Sequence, residues 1–162
     1  MTTDKLQLRG ERELRRARNA ERGDSREMLA FRLGNMAYAI DINKVEAIVK
    51  IPPMTPVPRA PEGIMGIVGV RGRVLTVIDI RARLKCELSE ASRSARLLVV
   101  PSTGQDMVGV YVDEVLHVVR LAPQQIELPS QLVGNESEEH LLGIGRKGDQ
   151  MIVLIDIAPL IR

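Results

Sequence analysis

The sequence is poor in the residues that build disulfides, metal sites and aromatic binding platforms. Its 162 residues include one cysteine, Cys86, two histidines and three aromatic side chains. A single cysteine cannot form an internal disulfide, and a structural zinc site needs about four nitrogen or sulfur ligands. Small barrels that bind single-stranded nucleic acid stack bases on several aromatic rings, which this chain cannot supply. We therefore predict no metal, no cofactor and no nucleic-acid partner.

The chain also has no long apolar run. No stretch approaches the ~18 apolar residues needed to span a bilayer, and the charged N-terminus does not resemble a secretory signal. These features predict a cytoplasmic protein without membrane insertion. The formal net charge is only +2, and residues 1–27 carry eight basic and six acidic side chains. Because residues 1–26 contain few large apolar side chains, we predict a polar, flexible N-terminal tail.

From residue 27 onward, short β-branched runs alternate with turn residues. Five prolines within 52–61 predict an extended loop, and short helical turns are expected at 81–84 and 158–161. About ten short strands at regular spacing indicate an all-β barrel or sandwich. The predicted strands are 28–33, 37–42, 45–51, 64–70, 74–80, 96–100, 107–112, 115–121, 141–144 and 151–157.

The two halves of the chain repeat the same pattern. The apolar positions of 39–51 match those of 109–121 at one constant offset. At a second offset, Met65-Gly66-Ile67 matches Leu142-Gly143-Ile144, and Val77–Ile80 matches Leu154–Ile157. A unit of roughly 60 residues buries little surface alone. The repeat therefore predicts two small five-stranded units that share a hydrophobic core, with a groove where they meet.

Four aspartates at strand ends are the main candidates for chemistry: Asp41, Asp79, Asp113 and Asp156. Carboxylates can serve as general acids or bases when their environments differ. An aspartate at a strand end also caps the following turn through its backbone N–H groups. Because these residues recur with the duplication, we interpret Asp79, Asp113 and Asp156 as turn caps. We predict no catalytic residue and no enzymatic activity.

A glycine-rich stretch, 66–72, lacks the Gly-Lys-Ser/Thr ending of a phosphate-binding loop. We interpret Gly66, Gly72 and Gly143 as residues of tight turns or close backbone approach. Arg71 precedes Gly72 at a predicted hairpin tip, where a guanidinium can bind a partner's carboxylate or carbonyl groups. A solvated turn arginine is the alternative.

One ordered set of segments runs through both halves of the chain. The first half has Gly34, the Tyr38–Ile42 segment and Val45, followed by a proline-bearing loop, Gly66-Ile67 and Arg71-Gly72. The second half adds Gly109, Val112-Asp113, Val115, Gly143 and Ile155-Asp156-Ile157. Together these segments resemble the CheW family of bacterial chemosensory couplers over 28–161. The sequence departs at Gly69, where the family usually has Asn, at Thr76, where it has Pro, and at Ala47, where an acidic residue is common. These departures bear on which receptor the chain would recognise.

The resemblance implies a fold of two SH3-like five-stranded β-barrel subdomains around a shared core. We expect a CheW-like domain at 27–162, with a first subdomain at about 28–86 and a second at about 95–161. It further implies a non-catalytic adaptor between the cytoplasmic tip of methyl-accepting chemoreceptors and the regulatory domain of a CheA-type histidine kinase. The alternative is a CheW-like regulator of another pathway, such as surface motility, that binds a different kinase. The family's partner contacts fall on Ile40, Ile42, Val45, Arg71, Leu97, Gly109, Val115 and Val118.

Overall fold

Eleven strands in two sheets make up most of the described chain, in a computed structural model that describes residues 25–86, 92–104, 106–129 and 139–161. The predicted all-β class is confirmed. The predicted N-terminal tail lies outside the described residues, except for its last two positions. The strands are β1 (Arg26–Leu33), β2 (Met36–Asp41), β3 (Ala47–Lys50), β4 (Ile64–Val70), β5 (Arg73–Ile78), β6 (Arg96–Pro101), β7 (Met107–Val112), β8 (Glu114–Leu121), β9 (Ile126–Glu127), β10 (Leu141–Lys147) and β11 (Gln150–Ile155).

The two sheets have the same strand order once the duplication is taken into account. The first sheet runs β8-β1-β2-β11-β10-β9, and the second runs β3-β6-β7-β5-β4. Under the duplication, the counterparts of β3, β6, β7, β5 and β4 are β8, β1, β2, β11 and β10. These counterparts, in the same order, are the first five strands of the first sheet. Each sheet contains one parallel pair, β11 with β2 and β5 with β7, and its other pairs are antiparallel. The predicted pair of SH3-like units is thus confirmed.

The two sheets do not follow the division of the chain into sequence halves. The second sheet takes all of its strands from 47–112, whereas the first combines β1 and β2 with the strands after residue 113. The sequence halves 28–86 and 95–161 therefore do not correspond to separate sheets. The reason is that β1 pairs with β8 and β2 with β11, so strands from the two ends of the chain complete one unit.

Buried side chains form three clusters that follow from the alternation of side chains along each strand. In β1, Met28 and Ala30 pack inside the first sheet, while Leu29 and Phe31 point into a larger cluster between the sheets. The strand β6 divides its side chains in the same way between the central cluster and the interior of the second sheet. A strand buried on both faces is expected to read as a continuous apolar run, and β1 and β6 do so. We call the cluster between the sheets the central core.

The shared glycines have the same structural role in both halves. A β-bulge interrupts the pairing of β4 with β5 at Gly66 and that of β10 with β11 at Gly143. A Cβ atom at Gly66 would lie 2.6 Å from the carbonyl oxygen of Thr55, and one at Gly143 would lie 2.6 Å from that of Glu127. Both distances are shorter than any real contact allows. Glycine is required because the backbone of another segment lies against each bulge, Thr55 in one unit and Glu127 of β9 in the other.

Several predicted element bounds differ from the structure. The expected strand 45–51 is shorter, because Ile42–Lys44 forms a 3-10 turn and pairing with β6 begins at Ala47. The strand β9, which sequence reasoning missed, has only two residues and pairs with β10. The terminal turn is a 3-10 helix at Ala158–Leu160. The expected helical turn at 81–84 is a series of turns. The Leu84 amide donates a hydrogen bond to the carbonyl of Ile80, as in one turn of an α-helix, but no helix continues from it.

Candidate partner-binding surfaces

Three of the eight expected contact residues are buried. Ile40 is 1% exposed in the central core, and Leu97 is completely buried inside the second sheet. Gly109 is also buried, and a Cβ atom added to it would lie 3.4 Å from Cδ1 of Leu97. In this conformation the three residues are closed to solvent, and their expected role as direct partner contacts stays a prediction. Apolar strand residues of this pattern belong to the core because both faces of their strands are covered.

Three other expected contacts border the central core. Ile42, Val45 and Val115 are each partly buried and pack against it. Val45 and Val115 occupy corresponding positions in the two halves, each just after the chain has crossed from one sheet to the other. We refer to Ile42, Val45 and Val115 as the inter-sheet rim. It offers apolar side chains to a partner without exposing the core itself.

Val118 lies on strand β8, which is at one edge of the first sheet, and its residue is 50% exposed. The corresponding residue of the other half is Ile48, which is 44% exposed on the edge strand β3. Val74 and Met151 form a second matched pair of exposed apolar residues at the starts of β5 and β11. The duplication therefore places exposed apolar side chains at equivalent points on both sheets. Such residues are candidates for contact with other proteins.

Arg71 is exposed at the tip of the β4–β5 hairpin and has an unusual backbone conformation. The hairpin has a two-residue loop, since Val70 pairs with Arg73. Arg71 has φ 49° and Gly72 has φ 78°, and positive φ at both central positions is typical of a type I′ turn. Gly is favoured at the first of these positions because it has no Cβ, and Asn because it tolerates the left-handed region, whereas most other L residues are strained there. The corresponding position in the β10–β11 hairpin is Gly148.

The first hairpin therefore carries a long cationic side chain at a position where the duplicate hairpin has glycine. Within the described part of the chain, the Arg71 side chain takes part in no hydrogen bond or ion pair that would explain it. Arg59 and Lys85 also have positive φ, so Arg71 is distinguished by its exposed place at a hairpin tip as well as by its backbone. The guanidinium of Arg71 is thus available to a partner.

A cavity of about 580 Å³ opens beside the same hairpin. It lies where β5 and β7 separate, before their parallel pairing begins at Thr76 and Val108. Its exposed lining is mainly polar, although apolar residues of β5 and β7 contribute to it. The lining residues are Arg73, Val74, Leu75, Thr76, Ser102, Asp106, Met107 and Val108.

The aspartates interpreted as turn caps accept hydrogen bonds from nearby backbone groups. The Oδ1 atom of Asp79 accepts from the amide of Arg81 at 3.0 Å, and that of Asp156 accepts from the amide of Ala158 at 3.2 Å. Asp41 does the same for Asn43 at 2.9 Å. These carboxylates are separate in the structure. No group of three or more His, Cys, Asp or Glu side chains converges into a metal site among the residues that the structure describes.

Asp113 differs from the other three because it is completely buried. Its Oδ2 accepts a hydrogen bond from the amide of Gly34 at 2.7 Å, and its Oδ1 accepts one from the Tyr111 hydroxyl at 3.2 Å. Nη1 of Arg81 lies 3.6 Å from Oδ1 of Asp113. Asp113 therefore joins three separate segments of the chain, and its role goes beyond capping one turn.

Among the described residues, Arg81 is the other buried charged residue, with 7% of its surface exposed. Its Nε and Nη2 donate to both carboxylate oxygens of Asp79, at distances of 2.8–3.2 Å, and these hydrogen bonds raise the pKa of Arg81. The guanidinium carbon lies 4.7 Å from the centroid of the Tyr111 ring, within range of a cation–π contact. Burial raises the pKa of Tyr111, and so does the charge on Asp113. Arg81 thus remains charged and Tyr111 remains protonated at neutral pH.

Sequence reasoning missed the pairing of Arg81 with Asp113. The local signal was incomplete, because Asp79-x-Arg81 and Tyr111-x-Asp113 each read as an ordinary strand end. An arginine shortly after a capping aspartate is the one hint that a charge might be buried there. The fold brings the two segments together because β5 and β7 are adjacent and parallel.

Cys86 is partly buried and its Sγ lies 3.0 Å from the hydroxyl of Tyr38. Burial raises the pKa of the Cys86 thiol, while the hydrogen bond with Tyr38 and the charge on Arg81 lower it by less. The thiol is therefore not activated as a nucleophile, since activation requires a lowered pKa.

In the described ranges, no helix is long and apolar enough to cross a bilayer.

Comparisons with known proteins identify the relatives of this chain. The family model of the CheW-like domain matches residues 27–162. The chain is 33% identical over 135 residues to the chemotaxis protein CheW of Klebsiella aerogenes, covering 83% of this chain and 81% of that protein. It is 35% identical over 129 residues to protein FrzA of Myxococcus xanthus, covering 80% and 79%.

A solved structure has the same fold. The crystal structure of the scaffolding protein TtCheW from Thermoanaerobacter tengcongensis superposes with a TM-score of 0.73 at 30% sequence identity. The match covers 83% of this chain and 91% of that one. The similarity thus extends over both sheets, and not over one unit alone.

Proposed function

Because the chain belongs to the family of CheW-like domains, we propose that it joins the cytoplasmic tips of chemoreceptors to the regulatory domain of a CheA-type histidine kinase. As a member of this family it is a scaffold of chemosensory signalling. The two named partners, and a cytoplasmic location at receptor arrays, are what we propose beyond that. The proposal gives the chain no catalytic step, in agreement with four carboxylates that cap turns or are tied into the core.

The single observation that best supports a partner contact is the conformation of Arg71. An arginine with φ 49° stands at a hairpin tip where the duplicate hairpin has glycine. We assign this tip to the kinase, because a rigid, exposed guanidinium suits a carboxylate or a set of carbonyl groups at the end of another small barrel. The neighbouring cavity, which has a mainly polar lining and includes exposed Val74, offers the same partner a second point of contact.

We assign the inter-sheet rim to the receptor tip, which is a helical hairpin. A helix presents apolar side chains about one turn apart along one face, and Ile42, Val45 and Val115 supply apolar atoms on both sides of the central core. Val118, exposed farther along β8, extends the surface in the same strand. Buried Ile40, Leu97 and Gly109 support these surfaces from beneath.

The second candidate function is an adaptor for another chemosensory-type pathway with a different kinase. The relative that favours it is FrzA, at 35% identity over 129 residues, which is as similar to this chain as the chemotaxis protein CheW. The unusual residues Ala47, Gly69 and Thr76 lie on β3, β4 and β5, close to the surfaces proposed for partners. Identifying the kinase that co-purifies with the chain distinguishes the two candidate functions.

A ternary pull-down tests the proposal directly. We expect Arg71→Glu to leave the fold intact, as judged by circular dichroism, while removing the kinase from the complex with the receptor tip. The matched control is Arg93→Glu, which changes an exposed arginine outside both proposed surfaces and should leave the complex unchanged. Intact assembly with Arg71→Glu would contradict the assignment of the tip.

A further inference from the structure

The chain passes between the two sheets at two places that correspond under the duplication. Residues 42–46 carry it from β2 in the first sheet to β3 in the second, and Asp113 carries it from β7 back to β8. Val45 lies at the first crossover and Val115 lies two residues beyond the second. The inter-sheet rim therefore depends on how firmly each crossover is held.

The first crossover is held by local hydrogen bonds and by the packing of Ile42 and Val45 against the central core. Asp41 caps the amide of Asn43, and the amide of Val45 bonds to the carbonyl of Ile42 at 3.2 Å. None of the residues in the 3-10 turn is buried. One bond, from the amide of Glu46 to Val99 O at 2.8 Å, ties this crossover to the second sheet.

The second crossover is held by buried, long-range contacts. The amide of Asp113 donates to the carbonyl of Arg32 at 3.0 Å, and its carboxylate accepts from the amide of Gly34. Both acceptor and donor belong to the β1–β2 hairpin of the first sheet. Tyr111 of β7 in the second sheet and Arg81, which follows β5, reach the same carboxylate. Asp113 is thus bonded to both sheets at the point where the chain leaves one for the other.

The two sides of the rim are therefore unequally constrained. Val115 follows a buried charged residue with partners in both sheets, whereas Val45 follows an exposed single turn. A buried ion pair adds little net stability compared with apolar packing, but it can specify one arrangement of the groups that it joins. We propose that Asp113 and Arg81 are positioning residues for the inter-sheet rim, which fix Val115 as a preformed contact for the receptor tip. Neither residue touches the partner.

This inference rests on the proposed receptor site and makes a directional prediction. Asp113→Asn keeps the shape of the side chain and one acceptor for the Gly34 amide, but it removes the charge that faces Arg81. With the rim less well fixed, affinity for a receptor helical hairpin should fall by about tenfold or more. Affinity for the kinase domain, which we assign to the Arg71 tip, should change by less than about twofold. A general loss of structure would instead reduce both.

The experiment measures both affinities by calorimetry on the full chain, with a receptor-tip hairpin and a kinase regulatory domain from the same organism. Hydrogen exchange of the Gly34 amide provides a readout that is independent of any partner, and it should become faster in Asp113→Asn while the amides of β6 are unchanged. Asp41→Asn is the matched control, since it removes the same charge at the corresponding crossover, and its hairpin affinity should stay within about threefold of the native value. Should Asp113→Asn fail to fold, Tyr111→Phe removes one donor to Asp113 and is subject to the same comparison.

Two results overturn the inference, and they are distinct from a failure of the proposed function. Native hairpin affinity in Asp113→Asn, or equal losses toward both partners, shows that the buried pair does not position the rim. A native chain that binds the kinase domain but no receptor hairpin shows that the rim is not the receptor site, and both proposals then fail.

Discussion

The conformation of Arg71 predicts that replacing it will stabilise the fold and weaken partner binding at the same time. The substitution is Arg71→Asn. A left-handed backbone costs an ordinary L residue roughly 1–2 kcal/mol, and Asn, which is favoured at the first central position of a type I′ turn, relieves part of that cost. The Arg71 side chain takes part in no ion pair or hydrogen bond with the described residues that would be lost. We expect the free energy of unfolding to rise by about 0.5–1 kcal/mol.

Thermal and urea denaturation measure the first half of this prediction. For a chain of 162 residues, a gain of 1 kcal/mol corresponds to an increase in Tm of about 2–4 °C. Asn is preferable to Gly here because glycine also increases the entropy of the unfolded chain, by roughly 0.5–1 kcal/mol relative to alanine. Arg73→Asn is the control, since Arg73 is exposed on β5 and its φ is not positive, and it should give no increase in stability.

Calorimetric titration with the kinase regulatory domain measures the second half. Loss of the guanidinium should weaken binding by about tenfold. Opposite changes in stability and affinity cannot come from general damage to the fold. The reasoning is refuted if Arg71→Asn is no more stable than the native chain, because the strain would then be absent. It is equally refuted as a functional argument if affinity is unchanged.

Two further predictions concern the bulge glycines and the buried thiol. Gly66→Ala should destabilise the fold by about 2 kcal/mol because the added methyl collides with the backbone of Thr55. The control is Gly69→Ala, which has open space around its Cβ position and should cost under about 0.5 kcal/mol. Similar urea midpoints for both variants would contradict the bulge explanation. Burial raises the pKa of Cys86 above its ordinary 9.0, so the unfolded chain loses this proton first and stability falls as the pH rises above about 9. Between pH 8 and pH 10, the free energy of unfolding measured in urea should decline less for Cys86→Ala than for the native chain. Identical declines would show that burial does not raise the pKa of Cys86.

The strands could be predicted from the sequence because their pattern is local. Each run such as Met28–Leu33 alternates between two apolar environments, and the central core and the sheet interiors supply both. Pairing within a hairpin could be predicted from the turn residues, as for β1 with β2 at Gly34 and β4 with β5 at Arg71-Gly72. The pairing of distant strands could not be predicted, because the two halves have nearly the same pattern and only the three-dimensional packing selects β8 as the second partner of β1.

The candidate site was predictable only in part, for a related reason. Arg71 stands out in the sequence because a hairpin tip exposes whatever side chain it carries. Ile40 and Val118 are both β-branched residues in strands, and nothing local indicates that one is 1% exposed and the other 50%. Asp113 and Asp156 likewise follow similar apolar runs. Their difference depends on Gly34 and Arg81, which are distant in the chain.

The order of the strands along the chain has a consequence for synthesis on the ribosome. All strands of the second sheet lie within 47–112, so this sheet can close as soon as that stretch has emerged. The hairpin of β1 and β2 is made earlier but must wait for β8 and β11 before both of its edges are covered. During that interval its open edges are exposed to pairing with other nascent chains. A chain that ends after residue 112 would therefore contain a complete second sheet, together with a β1–β2 hairpin whose unpaired edges are prone to aggregation.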